Sequence, residues 1–269
     1  VLRYDDDDIH PVDRYESARK LDITAAYWAR WAAAVRYSGP FRGMVKRSAL
    51  ALKLLTHAET GAIIAAATTS LPEAIGGQRN WDYRFVWLRD AAFTLAALDA
   101  VGHHREADAF MRFLKRVCRH EGGGHLQTMY GIDGRRDLVE RQLDHLNGYL
   151  GSRPVRVGNG AVDQLQLDVY GEVLETADIW RRNHEMTEGT WRVLRGLVNW
   201  VSRNWHRPDS SIWEVRGETR HYVFSKVMSW VALDRGVRMA EELGLESDTA
   251  GWRAARDTLH AEIMEKGWS

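Results

Sequence analysis

Apolar residues recur three and four positions apart along most of this 269-residue chain, a period that fits α-helices and leaves little room for strands. Tyr27, Trp28 and Trp31 form one stripe behind Asp22 or Thr24 as a cap, which predicts a helix to about Val35. Leu50, Leu54 and Leu55 mark a second helix. Phe93, Leu95, Leu98 and Val101 mark a third that opens at Arg89 and stops at Gly102. Similar spacing predicts helices over about 104–119, 162–183, 187–205 and 221–243, and a last one from a Ser247 cap to near Gly267. The stretch TGAIIAAATTS reads as extended, and 120–160, rich in glycine, reads as one long irregular segment. Loops of that length in a compact domain are usually functional or disordered. The expectation is an all-α chain of seven or eight helices whose loops carry the unusual residues. Residues 1–40 read as linker and lead-in helix, and 41–269 as one unit.

Composition excludes several functions. Lys plus Arg and Asp plus Glu both number 37, so no global field draws the chain to nucleic acid or an anionic membrane. The single cysteine, Cys118, excludes an internal disulfide and a cysteine-based zinc site. No apolar run approaches the roughly 20 residues that span a bilayer. The chain begins at Val1, so the native start is expected to be absent, and a cytoplasmic location is expected. Asp5 to Asp8 read as a solvated linker, and CRHEGGGH (Cys118, His120, His125) as a loop without zinc spacing. No metal and no cofactor are expected. Twelve tryptophans exceed what folding usually asks for, which predicts a pocket, an interface or a large aromatic core.

Two stretches stand out. RNWDYRFVWLRDAAF (79–93) interleaves Trp81, Tyr83, Phe85, Trp87 and Phe93 with Asp82, Arg84, Arg89 and Asp90. A core segment would drop the charges and a solvated face would drop the rings; a surface gripping something both ring-shaped and hydroxyl-covered keeps both. Asp90 also reads as a helix-start carboxylate balancing the N-terminal dipole. In SSIWEVRG, Glu214 follows Ile212 and Trp213 and precedes Val215. Apolar surroundings would raise its pKa and suit it to donate a proton; a surface glutamate beside a buried tryptophan is the plainer reading.

Three motifs, TGAIIAAATTSLPEAIGGQRNWDYRFVWLRDAAFTLAAL, GSRPVRVGNGAVDQLQLDVYGEV and IWEVRGETRHYVFSKVMSWVALDR, resemble glycoside hydrolase family 15. That family holds glucoamylases, glucodextranases and bacterial trehalases. The resemblance implies an (α/α)6 barrel of twelve helices with a pocket at one end, removing terminal glucose from α-glucosides with inversion. It implies Glu214 as general acid and Tyr83 and Trp87 as aromatic wall for the terminal glucose. Arg89 and Asp90 would bind that glucose's hydroxyls, and Ile212 and Trp213 would line the acid. Arg153 and Arg156 would lie on a substrate-facing loop. Val215 stands where fungal glucoamylases carry a second acid, which leans toward trehalose over maltooligosaccharide or isomaltose. Inversion needs a second carboxylate roughly 6.5–9.5 Å away; in the family it lies downstream, so the base is expected outside this chain. With seven or eight helices and no upstream β-sandwich domain, the chain reads as about two-thirds of the barrel. Exposed helix faces, poor stability and self-association of such a piece follow. Two other readings stay open: a sugar-binding or assembly fragment without turnover, and a phosphorylase whose phosphate would meet Arg135, Arg136 and Arg156.

Overall fold

The computed structural model describes residues 16–118 and 125–268. Those residues form eight α-helices: α1 (Ser17–Ala33), α2 (Arg42–Leu54), α3 (Leu88–Ala100), α4 (Arg105–Cys118), α5 (Asp168–Arg181), α6 (Glu188–Asn204), α7 (Val223–Glu242) and α8 (Thr249–Lys266). Strands are two-residue pieces. β1 (Val86–Trp87) pairs antiparallel with β2 (Met129–Tyr130), and β3 (Arg141–Gln142) with β4 (Arg156–Val157). The 60–70 stretch is extended, with bridges at Thr56–Ile63 and Thr69–Asp82.

From α3 onward the helices alternate between two layers. α3, α5 and α7 pack side by side, and α4, α6 and α8 lie outside them. An inner helix is enclosed on all sides, and α5 shows it: eleven of its fourteen residues are buried, from Asp168 to Trp180. The α5–α7 contact is close because residue 171 is glycine; a Cβ there would meet the Met228 carbonyl oxygen at 2.2 Å. Gly236 does the same service for α7 against Val198 of α6, where a Cβ would stand 2.7 Å from both methyls. The core carries Trp180, Trp191, Trp200 and Trp252. Tyr170 stacks on Trp200 with centroids 4.5 Å apart, and Trp252 Nε1 donates to Asn199 Oδ1 at 2.8 Å.

Several boundaries differ from those expected. α1 starts at Ser17, before Asp22 and Thr24; Thr24 lies within the helix and its hydroxyl donates back to the Lys20 carbonyl at 2.8 Å. Asp248, not Ser247, caps α8 by accepting from the Gly251 N–H at 2.9 Å. Residues 160–163 form a 3-10 turn capped by the Asn159 side chain, and α5 begins only at Asp168. Phe93 lies on the open side of α3 and is 52% exposed, while Leu88, Ala91, Ala92, Leu95 and Leu98 form the buried side. Phe41 at the start of α2, Met44 on it, and Leu21 and Ile23 on α1, are also exposed. The Asp5–Asp8 run and His120 lie outside the described residues, and His125 sits edge-on to Trp200. No helix among the described residues is long and apolar enough to cross a membrane.

Candidate active site

The N-terminal ends of α3 and α5 and the loop between α6 and α7 converge. Trp87 is the extended residue just before α3, Arg89 and Asp90 lie in the first turn of α3, and Asp168 is the first residue of α5. Carboxylates there meet the positive ends of the helix dipoles. Glu214 comes from the α6–α7 loop with a left-handed backbone, φ 52°, as does Ser211, φ 61°. Such conformations cost about 1–3 kcal/mol in non-glycine residues and persist only where surroundings over-determine them. Here they are held: the Val215 N–H donates to Ser210 O, the Ser210 N–H to Leu165 O, and Gln164 Nε2 to the carbonyls of Glu214 and Val215.

Five side chains separated by up to 127 residues then form one linked set. Trp87 Nε1 donates to Glu214 Oε1 at 2.7 Å, and Arg89 donates to the same oxygen at 3.1 Å. The other arm of the Arg89 guanidinium donates to Gln166 Oε1 at 2.7 Å and to Asp168 Oδ2 at 3.0 Å. Burial works against the Arg89 charge, but Asp168, Glu214 and Asp90 outweigh it and hold its pKa above the ordinary value. For Asp168, completely buried, burial pushes the carboxyl up despite Arg89. Burial also pushes Asp90 up, against Arg89, with the Glu214 charge adding to it. One turn along α5, burial and then Asp168 push Glu172 to about 7.

Beside Glu214 lies an open cavity of about 590 Å³, with Glu73, Trp81, Tyr83, Trp213, Val215 and Arg216 among its walls. Tyr83 is about one-third exposed; burial raises its phenol pKa, and the charges of Glu73, Glu214 and Asp90 add to that. Ile212 and Trp213 border the same space, Trp213 with most of its ring in solvent.

Other expectations meet a different arrangement. Trp87 is 2% exposed, so its contribution is the N–H on Glu214 rather than an open ring face. Glu214 is not in apolar surroundings, since a guanidinium and an indole N–H share its Oε1. Asp82 and Arg84 pair with each other, and Asp82 also accepts from the Gly158 N–H, so these charges fasten loops together. Arg153 stands off the cavity and donates to Asn147. Arg156 turns inward: it donates to the carbonyls of Gln78 and Asn80, lies 4.5 Å over Trp81 and stands 3.2 Å from Glu140. Arg135 borders a separate hollow, and Arg136 donates to Gln127 Oε1. Asp168 and Gln166 escaped the sequence reading; their one signal was polar side chains inside the apolar run from Leu165 to Val173. No cluster of three His, Cys, Asp or Glu suited to a metal occurs among the described residues.

The layered helices match solved glycosidases. A glycosidase solved in complex with glucose superposes with TM-score 0.61 at 21% identity, covering 84% of this chain and 57% of that one. The glucoamylase of Saccharomycopsis fibuligera gives TM-score 0.54 at 17% identity, covering 82% and 47%. The fold is thus that of the (α/α)6 glycosidases. Within it the family is defined by sequence: residues 39–269 match glycosyl hydrolases family 15, and the chain belongs to that family. It is 44% identical to a trehalase of Thermoplasma acidophilum over 96% of its own length and 44% of that protein's. To a trehalase of Mycobacterium tuberculosis it is 45% identical over 94% of its length and 38% of the relative's. The chain therefore spans less than half the length of these curated relatives.

Proposed function

We propose that this chain carries the acid side of a hydrolase that releases terminal glucose from α-glucosides with inversion, trehalose being the preferred substrate. The observation behind this is the grip on Glu214. Trp87 and Arg89 both donate to Oε1, which leaves Oε2 to carry a proton to the glycosidic oxygen of a sugar in the adjoining cavity. The donors also fix the carboxyl's orientation, and a fixed donor needs no reorganisation when the bond breaks. Tyr83 offers a ring edge and a phenol to the terminal glucose, and Asp90, half-buried at the start of α3, offers a carboxylate to its hydroxyls. Arg89 acts through Glu214 and Asp168 as well as toward sugar.

An inverting hydrolase needs a second carboxylate to activate water, roughly 6.5–9.5 Å from the acid. Asp168 is fully buried on Arg89, and Glu172 is buried one turn along α5; following the family resemblance, we assign that role to a residue outside this chain. The two carboxylates suffice for the chemistry, without metal or cofactor. Trehalose is favoured because the relatives similar over nearly the whole chain are named trehalases. Comparing kcat/KM for trehalose, maltose and isomaltose, using the full-length gene product, tests the choice. Trehalose should lead by at least about tenfold, the scale of one well-placed polar contact; a lead for maltose or isomaltose would overturn it.

A further inference from the structure

We infer that Arg216 is the residue that selects the leaving sugar, a hexose held in the cavity beside Glu214 while the bond to it is broken. The inference rests on the reading of Glu214 as the acid. Four observations carry it.

First, Arg216 is two residues from Glu214 and borders the same cavity. The Glu214 and Val215 carbonyls are both held by Gln164 Nε2, so the backbone leading from acid to arginine is fixed. Second, the Arg216 guanidinium is clamped, although its side chain is 44% exposed. It lies 4.0 Å over the Trp81 ring and donates to both Glu140 oxygens, at 3.1 and 2.6 Å. A planar fork held on one carboxylate spends two of its five N–H bonds there, and the others can serve a ligand.

Third, the clamp has its own support. Glu140 also accepts from the Gly160 N–H at 3.1 Å and stands 3.2 Å from Arg156 Nε. Burial works against the Glu140 charge, but Arg216, the Gly160 N–H and Arg156 outweigh it and hold its carboxyl below the ordinary range. Arg156, itself buried and lying over Trp81, completes the support. A surface arginine without a task would have no need of a buried arginine, a carboxylate and an indole behind it. Fourth, the rest of the wall suits a hexose. Trp213 offers ring surface for C–H faces, while Glu73 and Arg79, paired at 3.5 Å, offer an acceptor and a donor for hydroxyls. A volume near 590 Å³ falls within the range of small-molecule sites.

The consequence is selective. Arg216 should matter for trehalose, whose leaving group is a glucose, and far less for α-glucosyl fluoride, whose leaving group is a single atom. The test measures kcat/KM for both substrates in the full-length gene product, as wild type, Arg216→Ala and Arg216→Lys. The expected result is a fall of about 10–100-fold in the trehalose-to-fluoride ratio for Arg216→Ala, the scale of a lost hydrogen bond to a charged group. Arg216→Lys should restore only part of it, because an ammonium cannot hold Glu140 and a sugar with one planar fork. Both substrates are read in one preparation, so a misfolded fraction cancels from the ratio. A ratio unchanged in Arg216→Ala would overturn the inference. Wild-type hydrolysis of the fluoride without hydrolysis of trehalose would overturn it. Fluoride leaves with little help from an acid, so the Glu214 reading is judged separately, by whether Glu214→Gln loses hydrolysis of maltose or isomaltose. Hydrolysis of neither would overturn both.

Discussion

Asp168→Ala removes the buried carboxylate that Arg89 reaches at 3.0 Å, and the two side chains are 0% and 8% exposed. Taking one partner from a buried ion pair costs about 3–5 kcal/mol, because the remaining charge is left without its match. Arg89 keeps Gln166 and the Glu214 oxygen, so the cost should fall near the lower figure. Asp168→Asn is the informative companion. Burial already pushes the Asp168 carboxyl up, so a neutral amide relieves a desolvation penalty while its carbonyl still accepts from Arg89. We expect Asn to cost about 1–2 kcal/mol, the worth of one hydrogen bond, and Ala about twice that or more. At this size a kilocalorie corresponds to about 2–4 °C in Tm, so urea melts and calorimetry separate the variants. Activity should follow the same order, since both changes loosen the arm that steadies Arg89 on Glu214. An alanine variant as stable as the asparagine variant would refute the view that Asp168 is there for Arg89.

Three further outcomes follow from the same geometry. Trp87→Phe deletes the N–H on Glu214 and should lower kcat by about 10–100-fold with a smaller change in KM, read by steady-state kinetics; an unchanged kcat would mean that the bond orients nothing. Gly171→Ala drives a Cβ to 2.2 Å from the Met228 carbonyl oxygen and should destabilise by roughly 1–3 kcal/mol, read as a lower urea midpoint; a neutral result would mean that α5 and α7 can separate freely. Glu172 has a folded pKa of about 7 against an ordinary 4.5, so between those values the native state keeps a proton that the unfolded chain has released. Its contribution is present below pH 4.5, is lost as pH rises through 7, and amounts to roughly 2 kcal/mol after solvent screening. Glu172→Gln should flatten that loss in Tm between pH 5 and pH 8, and an unaltered slope would contradict it.

Helix placement was legible because each helix of a layered fold buries a stripe, and a stripe leaves a period in the sequence. Boundaries were less so: Thr24 bonds backwards inside α1 as readily as it would cap, and Asp248 competes with Ser247 one position away. Phe93 shows the limit of pattern alone, since it follows the helical spacing of α3 yet points outward. The pairing of 79–93 with Glu214 came from family resemblance, because contacts across 127 residues leave no local period. Arg156 looked like a loop arginine facing substrate, and its stacking on Trp81 depends on a fold that brings residues 75 apart together. Asp168 was visible only as a charge in an apolar run, which an inner helix tolerates where Arg89 meets it.

The central claim is that Glu214 delivers the proton in an inverting hydrolysis, and proton NMR of the first products of trehalose cleavage tests it most directly. Wild-type full-length protein should release one β-glucose, from the attacked ring, for each α-glucose that leaves with its anomeric oxygen. Glu214→Gln, unable to give a proton, should lose roughly 10²–10⁴-fold in rate. Initial release of α-glucose alone, or an undiminished rate in Glu214→Gln, would contradict the account.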